Sequence, residues 1–437
     1  MESFNTYVMS RRITNMLTLF GMIFLVLSSQ IHVSAAETTS SAVSEAVTHF
    51  SLDLLKATIL DNKENVVMSP VSVYTLLAMV QQGAKMKSLK EMDNVLYASS
   101  NTTRDGCHNL TLSIQKADSL PSLRFLNKAR VQGSHNFVPD FKKTLVKVFR
   151  SRFYVPKQDR GQQSSRSDNR TLPMGLTKIV VPHRNTPKTF FALANLLHFN
   201  GYWAQMDSAP VKIKFSRAPG EEIQIDGIQL KKKCFTGESP DIGAKWIHLP
   251  LAIHCASEKK GIKPKTYWSK RGASLMIILP TTKHGLDNLV ERLTPQHVNR
   301  FINYRRQDKK MLDITLPEFE ISNATNLIPY LRKLGLRDVF QKSANLSGIS
   351  TSDQLYISKS FQTSRIILDS FGARTSELTE INSPTAFDEW DQPEQTTVVD
   401  EPFLFFIVDG LNHLPLLVGR VERPVTPVPV YERNLSR

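Results

Sequence analysis

The chain has 437 residues, enough for two or three domains or one large β-containing domain, and its hydrophobic share of 41% allows a full core. Lys+Arg of 55 against Asp+Glu of 40 leaves a net charge of +15, and three cysteines, Cys107, Cys234 and Cys255, are too few for a disulfide framework to hold the fold. Cys234 can pair with Cys255, which leaves Cys107 free.

Residues 1–36 carry Arg11 and Arg12, an apolar run from Met16 to Leu27 and the small-residue ending Val33-Ser34-Ala35-Ala36. This pattern predicts a secretory signal cleaved after Ala35 or Ala36. The run is shorter than the roughly 20 apolar residues of a transmembrane helix, and no later run is long enough, so the mature chain is expected to be soluble and extracellular. Six sequons agree with that address, at Asn101, Asn109, Asn169, Asn323, Asn345 and Asn434. A basic protein outside the cell meets acidic glycans, membranes or acidic proteins sooner than nucleic acid.

No repeat and no Gly/Ser linker divides residues 37–424, which read as one mixed domain. Val43, Val47, Phe50 and Leu54 recur at helical spacing. Ser69-Pro70 sets a capping hydroxyl before a proline at the first helical position, and Val73 to Val80 continues apolar until Gly83 stops it. Lys85 to Tyr97 predicts a further short helix. Between Asp140 and Phe153, Phe141, Leu145, Val148 and Phe149 form one apolar stripe, and Lys142, Lys143, Lys147 and Arg150 read as the wet face. Pro156 to Thr171 is polar and aperiodic, a loop or flexible insertion.

Phe190 to Phe199 is nearly continuously apolar, the pattern of a strand buried on both faces. The stretch EKKGIKPKTYWSKR clusters Lys259, Lys260, Lys263, Lys265, Lys270 and Arg271 in a loop that reads either as a polyanion site or as a solvated basic loop. Ala273 to Pro280, Met311 to Leu316 and Phe403 to Val408 predict strands, the last pairing across Asp409-Gly410 with Leu414 to Val421. Pro415 argues that the returning strand begins at an edge. Residues 425–437 read as a flexible tail. Helices early and strands late give an α+β layout.

Gly372 to Asp400 is a long polar, acidic, turn-rich stretch directly before PFLFFIVDG, and compact domains seldom hold such a loop without a function for it. Catalytic signatures are absent: no G-x-S-x-G, H-E-x-x-H, G-x-x-x-x-G-K-[ST] or C-x-x-C occurs. His254 beside Cys255 is the nearest approach to a metal pair, and zinc wants about four ligands. No enzyme, metal or cofactor is expected.

Several separate stretches together resemble the serpin family of serine protease inhibitors. Asn65-Val-Val-Met-Ser69-Pro70-Val-Ser72-Val is similar to its N-x-x-x-S-P-x-S-[VI] element. Asn195-Leu-Leu-His-Phe199-Asn-Gly201-Tyr-Trp203 is similar to N-x-x-x-F-x-G-x-W in a central strand. Leu355 through Asp369 resembles the strand that feeds the reactive loop, and Pro402 to Ile407 with Gly419-Arg420-Val421 resembles the C-terminal hairpin. The motifs run in order over residues 43–424. They imply a single domain, monomeric, with a large central β-sheet, helices packed on it and an exposed reactive loop at 371–401. In that family a protease cleaves the loop, its N-terminal side inserts into the sheet as an extra strand, and the acyl-enzyme is distorted. Ser69, Ser72, Asn195 and Gln362 map to the region where the sheet opens.

Departures from the family pattern concern the hinge. Gly372 matches its glycine, but Ala373, Arg374, Thr375, Ser376 and Glu377 follow where small uncharged residues are usual. A strand alternates its side chains, so either phase buries a charge. The resemblance selects the phase Ala373, Thr375, Glu377, Thr379, which faces Glu377 to the core. Gln362 stands where the family usually has histidine, and Glu401 where a basic or polar residue precedes Pro-Phe. The helix that normally covers the sheet is poorly matched at Arg166 to Ile179.

Counting from Gly372 puts the scissile bond near Ala386-Phe387, and counting back from Pro402 near Asp391-Gln392. No Lys or Arg lies between Thr375 and Asp400, which argues against a trypsin-like partner, while Phe387, Trp390 or Leu378 suits a chymotrypsin-like pocket. The expected function is that of a secreted glycoprotein of the protease-inhibitor class, weakly or non-inhibitory, acting by binding a partner or a sulfated glycan. The alternative is a working suicide inhibitor of a chymotrypsin- or elastase-like peptidase.

Overall fold

The computed structural model describes residues 41–427 apart from 61–62, 116–122, 133–137, 155–189, 204–207, 253, 257–265, 269–271, 304–308, 352–354, 359, 371 and 375–392. The expected signal segment, the 156–171 loop, the 166–179 helix and the tail beyond 427 lie outside the described residues.

The N-terminal half holds most of the helices. In α1 (residues 41–59), Val43, Val47, Phe50 and Leu54 are all buried, as their spacing predicts. After β1 (Val66–Met68) come α2 (Pro70–Gln81), α3 (Met86–Val95) and α4 (Ser100–Gln115). Pro70 stands at the start of α2, but the Ser69 hydroxyl does not cap it. Ser69 Oγ donates instead to the Leu416 carbonyl at 2.9 Å and lies 2.8 Å from Ser72 Oγ, so a long-range partner displaces the local one. Gly83 serves close packing, because a Cβ there would lie 2.2 Å from Ile349 Cγ1.

The strands follow as β2 (Leu123–Gln132), then α5 (Pro139–Lys147), β3 (Arg152–Tyr154), β4 (Phe190–Trp203), β5 (Ser208–Ala218), β6 (Glu221–Ser239), β7 (Ala244–Ala252), β8 (His254–Ala256), β9 (Thr266–Trp268) and β10 (Ala273–Pro280). Next come α6 (Leu286–Arg292), α7 (Pro295–Ile302), β11 (Lys310–Pro317), β12 (Phe319–Asn326), α8 (Ile328–Lys333), β13 (Phe361–Asp369), β14 (Gly372–Arg374), β15 (Gln395–Val398), β16 (Phe403–Asp409) and β17 (Pro415–Val421). In α5, Phe141, Leu145 and the following Phe149 are buried while Lys142, Lys143, Lys147 and Arg150 are exposed; the helix ends at Lys147, and Arg152 already belongs to a strand.

Three strand systems join into one continuous network. The first runs β3-β2-β4-β14-β13-β12, antiparallel except for the β2/β3 pair. The second runs from the C-terminal part of β6 through β7, β10, β16 and β17 to β1, antiparallel throughout. The third joins β5, the first part of β6, β11 and β15. Every residue of β16 and β17 is buried, which explains the apolar runs Phe403 to Val408 and Leu416 to Val418. Strand β17 lies between β16 and β1 at its C-terminal part but begins at an edge, as Pro415 suggests. Strand β1 covers only Val418 to Arg420, so the proline at the strand start takes no ladder bond from it.

The end of β17 carries an ionic network centred on the buried pair Arg420 and Glu422. Arg420, 4% exposed, donates to Glu422 and to Asp287 Oδ1 at 3.0 Å; Asp287 also pairs with Lys63 at 2.7 Å, and Arg217 Nε reaches Glu422 at 3.5 Å. Asn65 Oδ1 accepts from the backbone N–H groups of Glu422 (2.7 Å) and Arg423 (2.9 Å), which binds the segment before β1 to the chain end.

Candidate hinge and sheet-opening site

Strand β14 begins at a glycine whose geometry no other described residue matches. Gly372 has φ +142°, and a Cβ there would stand 2.2 Å from the Gly201 carbonyl oxygen and 2.8 Å from Tyr202 Cα. Removing the side chain lets β14 enter between β13 and β4. Its register is Gly372↔Asp369, Ala373↔Leu368 and Arg374↔Ile367 on one side, and Gly372↔Tyr202, Ala373↔Gly201 and Arg374↔Asn200 on the other. Trp203 of β4 ties this strand's neighbours together, its Nε1 donating to the Asp369 carbonyl of β13 at 3.0 Å.

Ala373 is fully buried, as is Leu368 opposite it. Alternation therefore assigns Ala373 to the core face, and every second residue after it to the same face if the strand lengthens. Thr375 and Glu377 of the hinge, and Ala386, Phe387, Trp390 and Asp391 of the candidate scissile region, lie outside the described residues, as does the side chain of Arg374.

At the far end of the same sheet Gln362 grips the start of α2. Its Oε1 accepts from Ser69 N at 3.1 Å and its Nε2 donates to the Ser69 carbonyl at 2.8 Å, a two-point clamp between β13 and the β1–α2 junction. Ser72 joins through Ser69 Oγ. Asn195 sits further along β4, register partner of Asn127, with its side chain outside the described atoms. Asn323 on β12 completes the attachment: its Oδ1 accepts from Val67 N at 2.7 Å and its Nδ2 donates to the Asn65 carbonyl at 3.3 Å. Of the other sequons, Asn101 is exposed near the start of α4, Asn109 and Asn345 are half-buried, and Asn169 and Asn434 lie outside the described residues.

The loop's return is anchored as well, by groups the sequence reading missed. Strand β15 runs parallel to β11, Lys245 Nζ donates to Thr397 Oγ1 at 2.9 Å, and Ser216 N donates to the Asp400 carbonyl at 2.7 Å. The β-branched run Thr396-Thr397-Val398-Val399 was the available strand signal. Glu401 Oε2 accepts from His284 N at 2.6 Å, and His284 itself has φ +59°. Burial raises the Glu401 carboxyl above its ordinary range, with the His284 N–H opposing and Asp400 adding to the rise.

The basic residues Lys259, Lys260, Lys263, Lys265, Lys270 and Arg271 lie outside the described residues, flanking the paired strands β8 and β9. Cys107 and Cys234 are buried free thiols, so the Cys234–Cys255 bridge is not formed; burial pushes both thiols up to about 12. No described helix is long and apolar enough to cross a membrane.

A hinge strand entering the central sheet at a glycine, with the polar loop held at both stems, defines a class of fold that the sequence profiles also identify. The profile of the family Serpin (serine protease inhibitor) matches residues 45–424, and the chain belongs to that family. The leukocyte elastase inhibitor of Bos taurus is 24% identical over 394 residues, covering 87% of this chain and 99% of that protein. Among solved structures, Serpin48 of the insect Tenebrio molitor superposes with TM-score 0.65 at 23% identity over 88% of this chain and 98% of that one. A cleaved Serpin 42Da gives TM-score 0.69 at 20% identity over 89% and 100% of the respective chains. At these identities the structural likeness is one of fold.

Proposed function

We propose that the chain is a secreted member of the protease-inhibitor class that traps proteases weakly or not at all, and that binds a partner or glycan through its surface. The observation that carries this reading is the burial of Ala373 in the register of β14. If insertion continued that register, Glu377 would come opposite Ser364 of β13 and Leu197 of β4, on the core face. Ser364 is 8% exposed and Leu197 packs against the core, so the carboxylate would meet one hydroxyl and an apolar wall. An unpaired buried carboxylate costs several kcal/mol. Insertion must outrun deacylation, and a barrier raised by about 3 kcal/mol slows it roughly a hundredfold.

A second reading, a suicide inhibitor of a chymotrypsin- or elastase-like peptidase, is favoured by the hinge already seated between β4 and β13 and by the elastase named in the Bos taurus relative. Incubation with chymotrypsin and elastase followed by a denaturing gel separates the two. Clipping between Thr375 and Asp400 without a band at the summed mass supports the first; an efficient stable complex supports the second and removes the first.

A further inference from the structure

Strand β12 closes the first strand system and β1 closes the second, and the two lie side by side with no ladder between them among the described residues. Strand β1 gives one edge to β17, with Val66 opposite Arg420. On its other edge the Asn65 carbonyl and the Val67 N–H flank Val66 and point the same way, as alternate groups of a strand do. The side chain of Asn323 takes both: Oδ1 accepts from Val67 N at 2.7 Å, and Nδ2 donates to the Asn65 carbonyl at 3.3 Å. These partners fix the amide's orientation, with a donor facing its oxygen and an acceptor facing its nitrogen.

The amide stands in for a peptide group of a missing strand and covers two sheet edges at once. The chain end joins the same place: Asn65 Oδ1 holds Glu422 N and Arg423 N, and Glu320 N of β12 donates to the Val425 carbonyl at 2.8 Å. Asn323 also opens the sequon Asn323-Ala324-Thr325. Glycosylation joins Nδ2 to the anomeric carbon of an oligosaccharide delivered on a lipid diphosphate; the lipid diphosphate leaves and Nδ2 gives up one proton. A sugar on Nδ2 of Asn323 would sit on the atom that meets the Asn65 carbonyl, and the chain would have to fold with it between β12 and β1. Asn101 has none of these ties. It is exposed in the first turn of α4, and among the described residues its side chain makes no hydrogen bond. The hydroxyl of its sequon, on Thr103, is buried against Gln81 and Gln82, so the asparagine alone faces out.

We propose that an N-linked oligosaccharide is carried at Asn101 and withheld from Asn323, whose amide is a structural joint between the two sheets. The assignment at Asn101 rests on the extracellular reading; the joint at Asn323 stands without it. Asn323→Asp isolates one atom of the joint, because it keeps an oxygen for Val67 N but sets a second oxygen against the Asn65 carbonyl. Thr325→Val does the reverse, removing the sequon while leaving the amide in place.

The test maps glycans on the full chain expressed in cultured eukaryotic cells. Enzymatic release in heavy-oxygen water turns each glycan-bearing asparagine into a labelled aspartate, read by peptide mass. Label is expected at Asn101 and not at Asn323. Asn101→Gln should gain one step of gel mobility, and Thr325→Val none. In urea, Asn323→Asp should lower the unfolding midpoint while Thr325→Val leaves it in place, a contrast that a role as glycan acceptor does not produce. Label at Asn323 in the folded protein, a mobility step in Thr325→Val, or equal midpoints for Asn323→Asp and wild type overturns the joint. Label at other sequons but not at Asn101 overturns that assignment. Unlabelled protein kept inside the cells overturns the extracellular reading and the Asn101 assignment with it, and the midpoints still decide the joint.

Discussion

Gly372 is the residue on which the hinge depends, because its φ of +142° and its approach to the Gly201 carbonyl both exclude a side chain. Gly372→Ala should unseat β14 at a cost of about 1–3 kcal/mol, read as a lower denaturant midpoint; an unchanged midpoint would mean the hinge pairing contributes little. Gln362 works at the opposite end of the slot. Gln362→Ala removes two hydrogen bonds and strands the Ser69 backbone groups, a loss of about 1–3 kcal/mol. Glu401 supplies a pH test. Its carboxyl is raised by burial, so the fold disfavours the charged form: its contribution is fully present below the unfolded value near about 4.3 and declines as pH rises through the folded value. Glu401→Gln, which keeps an oxygen for His284 N, should match wild type in acid and exceed it at neutral pH. Equal pH profiles of unfolding for the two proteins would contradict this.

At the scale of elements, the ionic network at the end of β17 fixes the C-terminal hairpin to α6 and to the segment before β1. Arg420→Ala leaves Glu422, 8% exposed, without its nearest cation, and removing one partner of a buried pair costs about 3–5 kcal/mol. Arg420 and Glu422 replaced together by apolar residues should lose far less, and equal losses would show the network to be packing alone. Which elements were legible follows from the same burial. Strands β4, β10 and β16 read as near-unbroken apolar runs, whereas β5 and β6 alternate Ile213, Phe215, Ile225 and Leu230 with polar residues such as Lys212, Lys214, Gln224 and Lys231 and carry a weaker signal. The Ser69 hydroxyl was misread as a cap because its competitor, the Leu416 carbonyl, is 347 residues away in the chain. The hinge phase is equally undecidable from composition alone, since Arg374 and Glu377 put a charge in either phase; the structure buries Ala373 at its start.

At the scale of the whole molecule, the proposed function joins a sheet that admits the hinge strand β14 to a sequence that sets a carboxylate, Glu377, five residues beyond the hinge glycine. The sheet side of that slot is complete, with Gly201, Leu368 and Ser364 lining it and Gln362 closing its far end. On the proposed reading the loop and not the body limits trapping, so replacing one loop residue should restore it. The most direct measurement compares wild type with Glu377→Ala against chymotrypsin and elastase, scoring the fraction of protease held in a band stable on a denaturing gel. Wild type should be cleaved without a stable band, and Glu377→Ala should form a covalent complex. Efficient complex formation by wild type, or cleavage without complex in both, would contradict that reading.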